Sequence, residues 1–524
     1  MNHLNASCQI IDDIRQELSE IPKKNEAWIM KREYLSSSPL RFCLNLAVFL
    51  LLESDSYGTA WNWVQRGKAR SMTDFMAPFV VVPEHWKREL FEDAQLLEEE
   101  QSLIQRLATA EANARHDIER KHHLVLQRML SKPSFQRILS LRGYTFPKQL
   151  DFADTIQLAQ WRSPEVRPNV VFVDYFVGLV DRVMMFVNRR EKCYCFEVGA
   201  YSEVERWVED NLAHEDEISG PLHKLVEDDH SDAAREWHQM DFLIKPLETL
   251  THPGDLLVVC PSDILYRLPF HALFLNGRFL IERNPVVYTQ SASVLETCVN
   301  QRHRTFDRGQ GNMVILGNLT KDLPSAGRSC RNLKKRLDAQ ACFTDEELSS
   351  QDFSEKVADA RLLHYHGHAL YAGGGLKDLG LRINNQGDLV DLQHIISLRL
   401  QRGAHVSLIA CASSKQDTGM AYEPIGIIPA FMFAGASSIL ATLWPIQNSV
   451  GELFCEDVYS AFDQPPHGGP SLWIDLAKVL QDAVLKLKEL KKAPYFWAPF
   501  VLYGYWVYGS GSHGTLLNLI EGLD

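Results

Sequence analysis

From Pro168 onward, short apolar runs alternate with helix-patterned stretches, and this alternation restricts the possible folds more than any other feature of the chain. Val170–Phe176 and Arg182–Val187 read as a strand hairpin, and Asp255–Asp263, Val286–Thr289, Met313–Gly317 and Ile439–Pro445 as further strands. Glu203–Leu212, Cys330–Leu337 and Asp388–Arg399 carry helical periodicity between them. Such alternation predicts an α/β domain with a mostly parallel sheet flanked by helices. Two of the apolar runs end in reactive side chains: Leu362-Leu363-His364-Tyr365-His366-Gly367-His368-Ala369 and His405-Val406-Ser407-Leu408-Ile409-Ala410-Cys411-Ala412-Ser413-Ser414. Sites in open α/β sheets form beyond the carboxyl ends of strands. A histidine and a cysteine leaving neighbouring strand ends would therefore face each other, although 43 positions separate His368 from Cys411.

Residues 1–150 follow a different pattern and read as helical throughout. Arg41–Leu52 predicts one apolar helix, Ser54–Gly58 a break and cap, and Ala60–Met72 a second helix. The pair resembles one unit of a helical repeat array. Pro83 opens a long charged helix to about Leu130, with one apolar stripe through Leu90, Ala94, Leu97, Ile104, Leu107, Ala114, Ile118, Val125 and Met129. That stripe fits either an arm packed on the preceding helices or a coiled-coil contact. The acidic stretch Glu215–Asp232 reads as a solvated loop or helix edge.

Among 524 residues, 54 Lys and Arg stand against 67 Asp and Glu, a formal charge of −13. That balance argues against direct nucleic-acid binding or an anionic membrane surface. No apolar run reaches the roughly 18 residues of a membrane span; the longest, Phe42–Leu52, is interrupted by Asn45. The first twenty residues lack a basic-then-apolar leader, so an intracellular, cytoplasmic protein is expected. The ten cysteines include one close pair, Cys193 and Cys195, and no paired CxxC motif. Most are expected to be small apolar core fillers.

His364, His366 and His368 occupy alternate positions and share one strand face. Three imidazoles so placed have the spacing to hold zinc, but no nearby carboxylate or cysteine completes the set, so no metal and no cofactor are expected. His364, inside the apolar run, suits a structural role. Cys411 precedes three small residues, which leave room for a substrate backbone. A following helix start and a nearby histidine would favour its thiolate. The residues alone leave two readings open: an activated nucleophile, or an inert buried thiol.

Several blocks resemble the CHAT family, caspase-like peptidases that often follow tetratricopeptide repeats and belong with caspases, separases and gingipains. Asp255–Leu273 is similar to a strand-turn block that normally reads Pro-x-x-x-Leu-x-x-Leu-Pro-Phe, and Tyr288–Leu295 to the block after it. Leu363–Ala369 resembles the histidine block and Leu408–Ser414 the cysteine block. Glu423–Trp444 resembles the Gly-rich helix and Leu-Trp-Pro strand, and Tyr495–Trp506 the closing block. Upstream, Ala60–Met72 resembles the last repeat before such domains. The order and spacing of the blocks are what make the match specific.

The resemblance implies a caspase-like domain over 160–524, preceded by a helical, repeat-like region over 1–150. It implies Cys411 as nucleophile and His368 as general base, with His366 as the alternative if the block is aligned on its first His-Gly pair. The family usually reads His-Phe-Ala-Gly-His-Gly where this chain has His364-Tyr365-His366-Gly367-His368-Ala369, and often Glu-Thr-Gly where it has Ala412-Ser413-Ser414. Backbone N–H groups at Gly367, Ala369 and Cys411 are the implied oxyanion donors. Asp378, Asp417 and Glu423, in nearby loops, are candidates to bind a basic P1 side chain, or are simply solvated charges. The implied function is a cysteine endopeptidase of an intracellular signalling, immune or cell-death pathway. Its partners would be a protein substrate and a regulatory protein bound by the helical region. The alternative is a catalytically silent scaffold.

Overall fold

The computed structural model describes residues 39–68, 90, 93–109, 112–135, 170–178, 180–189, 192–212, 238–303, 312–371, 379–400, 403–410, 416–417, 425–463 and 473–509. The chain divides into two compact units, one of residues 1–151 with 178–180 and 417–425, the other of the remainder.

In the first unit, α1 (Pro39–Leu52) packs on α2 (Tyr57–Gly67). Leu44, Ala47, Val48 and Leu51 of α1 and Ala60, Trp61 and Val64 of α2 are buried. The turn between them is closed by Asp55 in the left-handed region (φ 53°) and by the Ser56 N–H donating to the Leu51 carbonyl (2.9 Å). The long helix expected from Pro83 is instead a hairpin of α3 (Ala94–Thr109) and α4 (Ala112–Leu130). Glu99 accepts from Arg128 across the pair (3.2 Å), so the two helices run antiparallel. Leu97 on α3 and Ile118, Val125 and Met129 on α4 are buried. Folding back lets each half of the stripe cover the other, which a single straight helix cannot do. The acidic stretch Glu215–Asp232 lies outside the described residues.

The second unit is built on an eleven-stranded sheet. Its strands are β1 (Val170–Val177), β2 (Val183–Arg189), β3 (Lys192–Gly199), β4 (Leu256–Cys260), β5 (Val286–Tyr288), β6 (Asn312–Gly317), β7 (Ala341–Thr344), β8 (Ala360–Gly367), β9 (Ala404–Ala410), β10 (Ala436–Thr442) and β11 (Phe500–Gly504). Their spatial order is β3-β2-β1-β4-β5-β11-β10-β9-β8-β6-β7. The β1–β2, β2–β3 and β10–β11 pairings are antiparallel, and the others are parallel. The sheet thus holds two parallel blocks of opposite sense that meet at β10–β11. The carboxyl ends of β6, β8, β9 and β10 share one edge, and those of β4, β5 and β11 share the other.

The expected fold class is the one observed, a mostly parallel sheet with helices packed on it. Every residue of β9 and β10 is buried, as strands covered on both faces must be. Among the helices, α5 (Tyr201–Leu212) and α6 (Ala292–His303) precede β6. Then come α7 (Pro324–Leu337), α8 (Ser350–Lys356), α9 (Leu392–Ser397), α10 (Ile427–Phe433), α11 (Asn448–Asp463) and α12 (Leu476–Leu490). Helix α7 packs on β6, β7 and β8 and on α11, which in turn meets α12; α6 and α10 cover β10. Among the described residues no helix is long and apolar enough to cross a membrane. Cys260, Cys298, Cys330 and Cys455 are buried, and Cys43, Cys193, Cys195 and Cys342 are half-buried.

The join between the blocks depends on Gly504, which adopts φ +85° and leaves no room for a Cβ, since one would lie 2.4 Å from the Ser437 carbonyl oxygen. Gly504→Ala is expected to destabilise the protein by about 3 kcal/mol, combining a left-handed penalty with a backbone clash. Urea unfolding of wild type and variant reads this directly.

His271, after β4, is buried with its Nδ1 2.9 Å from the Tyr288 hydroxyl. Burial pushes its imidazole down to about 3. An unfolded imidazole protonates near 6.5, so between those values the unfolded chain holds the extra proton. The stability His271 contributes is full above about pH 6.5 and is lost as pH falls, by about 1.4 kcal/mol per unit. His271→Asn should therefore flatten the stability-versus-pH curve between pH 6 and 4 by one proton, as read by urea unfolding across that range.

Candidate functional site

The β8 strand places the three histidines. Even-numbered residues of β8 face α7 and α11, so His364 and His366 point into the interior and His368 is the first residue beyond the strand. His364 is fully buried, with Nδ1 3.1 Å from the Tyr459 hydroxyl on α11. Burial, with His366 and His405 adding to it, holds its imidazole well below the ordinary histidine range. His364, expected as a satisfied core histidine, is buried as expected, but of its two ring nitrogens only Nδ1 has a hydrogen-bond partner among the described residues. His366 is also buried, and burial pushes it down to about 4. The close pass of α11 fixes its surroundings, since a Cβ on Gly451 would lie 3.4 Å from His366 Nε2.

His368 differs from both. It is half-buried, and its Nε2 lies 3.0 and 3.1 Å from the two carboxylate oxygens of Asp322. Burial acts to raise the Asp322 carboxyl, but the Thr320 hydroxyl and the neighbouring imidazole outweigh it and hold the group below its usual range. Asp322 arrives from the loop after β6. Asn318 turns that loop with φ 53°, its N–H donating to the His366 carbonyl (3.0 Å) and its Oδ1 accepting from the Leu323 N–H (2.6 Å). The Tyr365 hydroxyl sits 2.9 Å from the His368 carbonyl and 2.6 Å from that of Arg382, tying the backbone at His368 to that at Arg382. Gly367 is required by that arrangement, because a Cβ there would lie 2.6 Å from the same hydroxyl oxygen.

Parallel pairing brings the two motifs together. His366 is the register partner of Ile409, and Gly367 of Ala410. The Thr442 hydroxyl donates to the Ala410 carbonyl (2.5 Å), fixing the last residue of β9. Cys411 follows Ala410 in the chain and lies outside the described residues, as do Ala412, Ser413, Ser414, Asp378 and Glu423. Ala369 opens a short strand, Ala369–Tyr371, that pairs with Leu379–Arg382. Asp417 closes the two-residue strand Gln416–Asp417.

Two participants escape the sequence reading. Asp322 lies 46 positions before His368, and its one signal is an acid just past a strand end. Cys330 of α7 lies beside His364 and His366, their ligand atoms all within 4.8 Å of one another. It supplies the cysteine whose absence had argued against a metal cluster.

A protein family described as CHAT domain matches residues 235–505. No curated protein matches the chain. Among solved structures, the Saccharomyces cerevisiae separase–securin complex is similar at a TM-score of 0.43 and 13% identity, over 79% of this chain and 37% of that one. The chain thus spans little more than a third of that protein's length. The Arg-specific cysteine proteinase gingipain R is similar at a TM-score of 0.35 and 10% identity, over 55% of this chain and 70% of that one. The complex of Porphyromonas gingivalis RgpB pro- and mature domains is similar at 0.35 and 11%, over 58% and 76%.

Proposed function

The chain belongs to the CHAT family, and from that premise we propose that it is a cysteine endopeptidase with Cys411 as nucleophile and His368 as general base. The observation that carries the reading is the pairing of Gly367 with Ala410 at the ends of adjacent parallel strands. His368 and Cys411 each follow directly from one of these partners, and neighbouring strands run about 4.8 Å apart. His368 is preferred to His366 because it is half-buried and carries a carboxylate partner, whereas His366 is enclosed and held neutral down to about 4.

In the proposed reaction the Cys411 thiolate attacks the scissile carbonyl carbon, forming the C–S bond. The oxyanion is held by backbone N–H groups at Gly367, Ala369 and Cys411. As the C–N bond breaks, the imidazolium passes its proton to the leaving amine. Water, deprotonated by His368, then cleaves the thioester and restores the thiolate. With Nε2–H donating to Asp322, the lone pair belongs to Nδ1, which is the nitrogen assigned to the proton transfers.

We assign the peptidase to 160–524 and the repeat-like helices to 1–150, where they would recruit a regulatory protein. Cytoplasmic action on a protein substrate in a signalling, immune or cell-death pathway, and P1 binding by Asp378, Asp417 or Glu423, rest on the family resemblance. The alanine at 369, where the family has glycine, favours the second reading, a silent scaffold. A peptide carrying a thiol-reactive group separates the two. Selective capture at Cys411 is expected, since burial pushes Cys193 and Cys195 up to about 12 and raises Cys330 and Cys455 well above the ordinary thiol range. Capture elsewhere, or none, would support the scaffold.

A further inference from the structure

Three ligand-type side chains converge beneath β8 without any part in the proposed peptide chemistry. Cys330 and His364 are fully buried and His366 is 2% exposed. Among the described residues the Nε2 of His364 and the Nδ1 of His366 have no hydrogen-bond partner, and the Cys330 thiol makes a long contact of 3.7 Å to the Leu316 carbonyl. Leaving a buried imidazole nitrogen unpaired costs about 1–3 kcal/mol. Two such atoms, on residues whose ligand atoms gather within 4.8 Å of one thiol, call for a physical reason.

The surrounding hydrogen bonds settle one proton. The Tyr459 hydroxyl donates to Ser407 Oγ (2.9 Å), so its oxygen is left to accept from His364 Nδ1–H (3.1 Å). His364 Nε2 then keeps its lone pair. Ligating imidazoles characteristically donate their other N–H to an outer partner in this way. Burial keeps both imidazoles neutral, the form in which they ligate. Gly317 makes room for the thiol itself, because a Cβ there would lie 2.4 Å from Cys330 Sγ.

We propose that Cys330, His364 and His366 form a buried binding site for a soft d10 cation, Cu+ or Zn2+. Bonds of about 2.0–2.3 Å would set the donors roughly 3.5–4 Å apart, so each side chain closes in by no more than about 1 Å. Binding releases the thiol proton to solvent and forms one bond to sulfur and two to nitrogen. A thiolate with two neutral imidazoles makes the Cu+ site neutral overall, which burial favours. Zn2+ would leave one positive charge and require a fourth ligand. The ion would tie α7 to β8 two residues before His368. The inference stands apart from the peptidase reading.

The test uses the full chain, stripped with chelator and titrated anaerobically with Cu+ or, in a parallel arm, with Zn2+. About one ion per chain is expected, with an X-ray absorption shell of one sulfur and two nitrogens and a rise in melting temperature. Cys330→Ser should weaken binding at least about tenfold and remove the sulfur scatterer. Either ion with that shell supports the site, and the arms identify which ion it takes. Failure of both ions to bind, or a wild-type shell without sulfur, overturns the proposal. Should Cys330→Ser fail to fold, the wild-type shell decides alone.

Discussion

Cys411→Ala is expected to abolish turnover: new protein N-termini generated in a lysate by the wild-type chain should be absent with the variant. Removing the nucleophile of a Ser- or Cys-type site costs on the order of 10⁴-fold or more, because no other group forms the acyl intermediate. The change deletes one sulfur after the end of β9, a strand whose last carbonyl is already held by Thr442. The melting temperature should therefore stay put while cleavage disappears. Undiminished cleavage would remove Cys411 from the mechanism.

Asp322→Asn is the second large effect expected, and its size follows from exposure. A buried orienting carboxylate in a triad is worth about 10⁴-fold. The Asp322 side chain is 55% exposed, so water screens its charge and competes for the imidazole. A fall in kcat of about 10–10²-fold is the proportionate expectation. Asp322 acts through His368, so KM should hold while kcat drops; a matching rise in KM would show a structural role instead. Steady-state kinetics on a substrate found by N-terminal mapping makes the separation.

The strands of the second unit were legible because buried parallel strands must be apolar, and Leu362–Leu363 and Val406–Leu408 leave few other assignments. Pattern alone misjudged two helices. Asp388–Arg399 is the short strand Leu389–Asp391 followed by α9, because the Asp391 side chain accepts from the His394 N–H (2.9 Å) and caps the helix late. The supposed arm from Pro83 folds back because its stripe needs a partner, and periodicity says nothing of where a helix turns. In the site, neighbouring positions were readable and distant ones were not. His364, His366 and His368 announce one strand face, whereas Asp322 and Cys330 reach that strand only through β6 and α7. No local signal ties either residue to a histidine.

β11 comes last among the eleven strands in the chain yet stands in the middle of their order, closing against β5 on one side and β10 on the other. During synthesis both flanking strands emerge well before residue 500, and each must wait with an unsatisfied row of backbone groups. Pairings between parts so distant in the chain form slowly, and open strand edges meanwhile invite association with other chains. A nascent polypeptide halted before this keystone would hold two half-sheets with no strand pairing between them. Chaperone dependence, and a sharp loss of soluble product on removing the final strand, are what this topology entails.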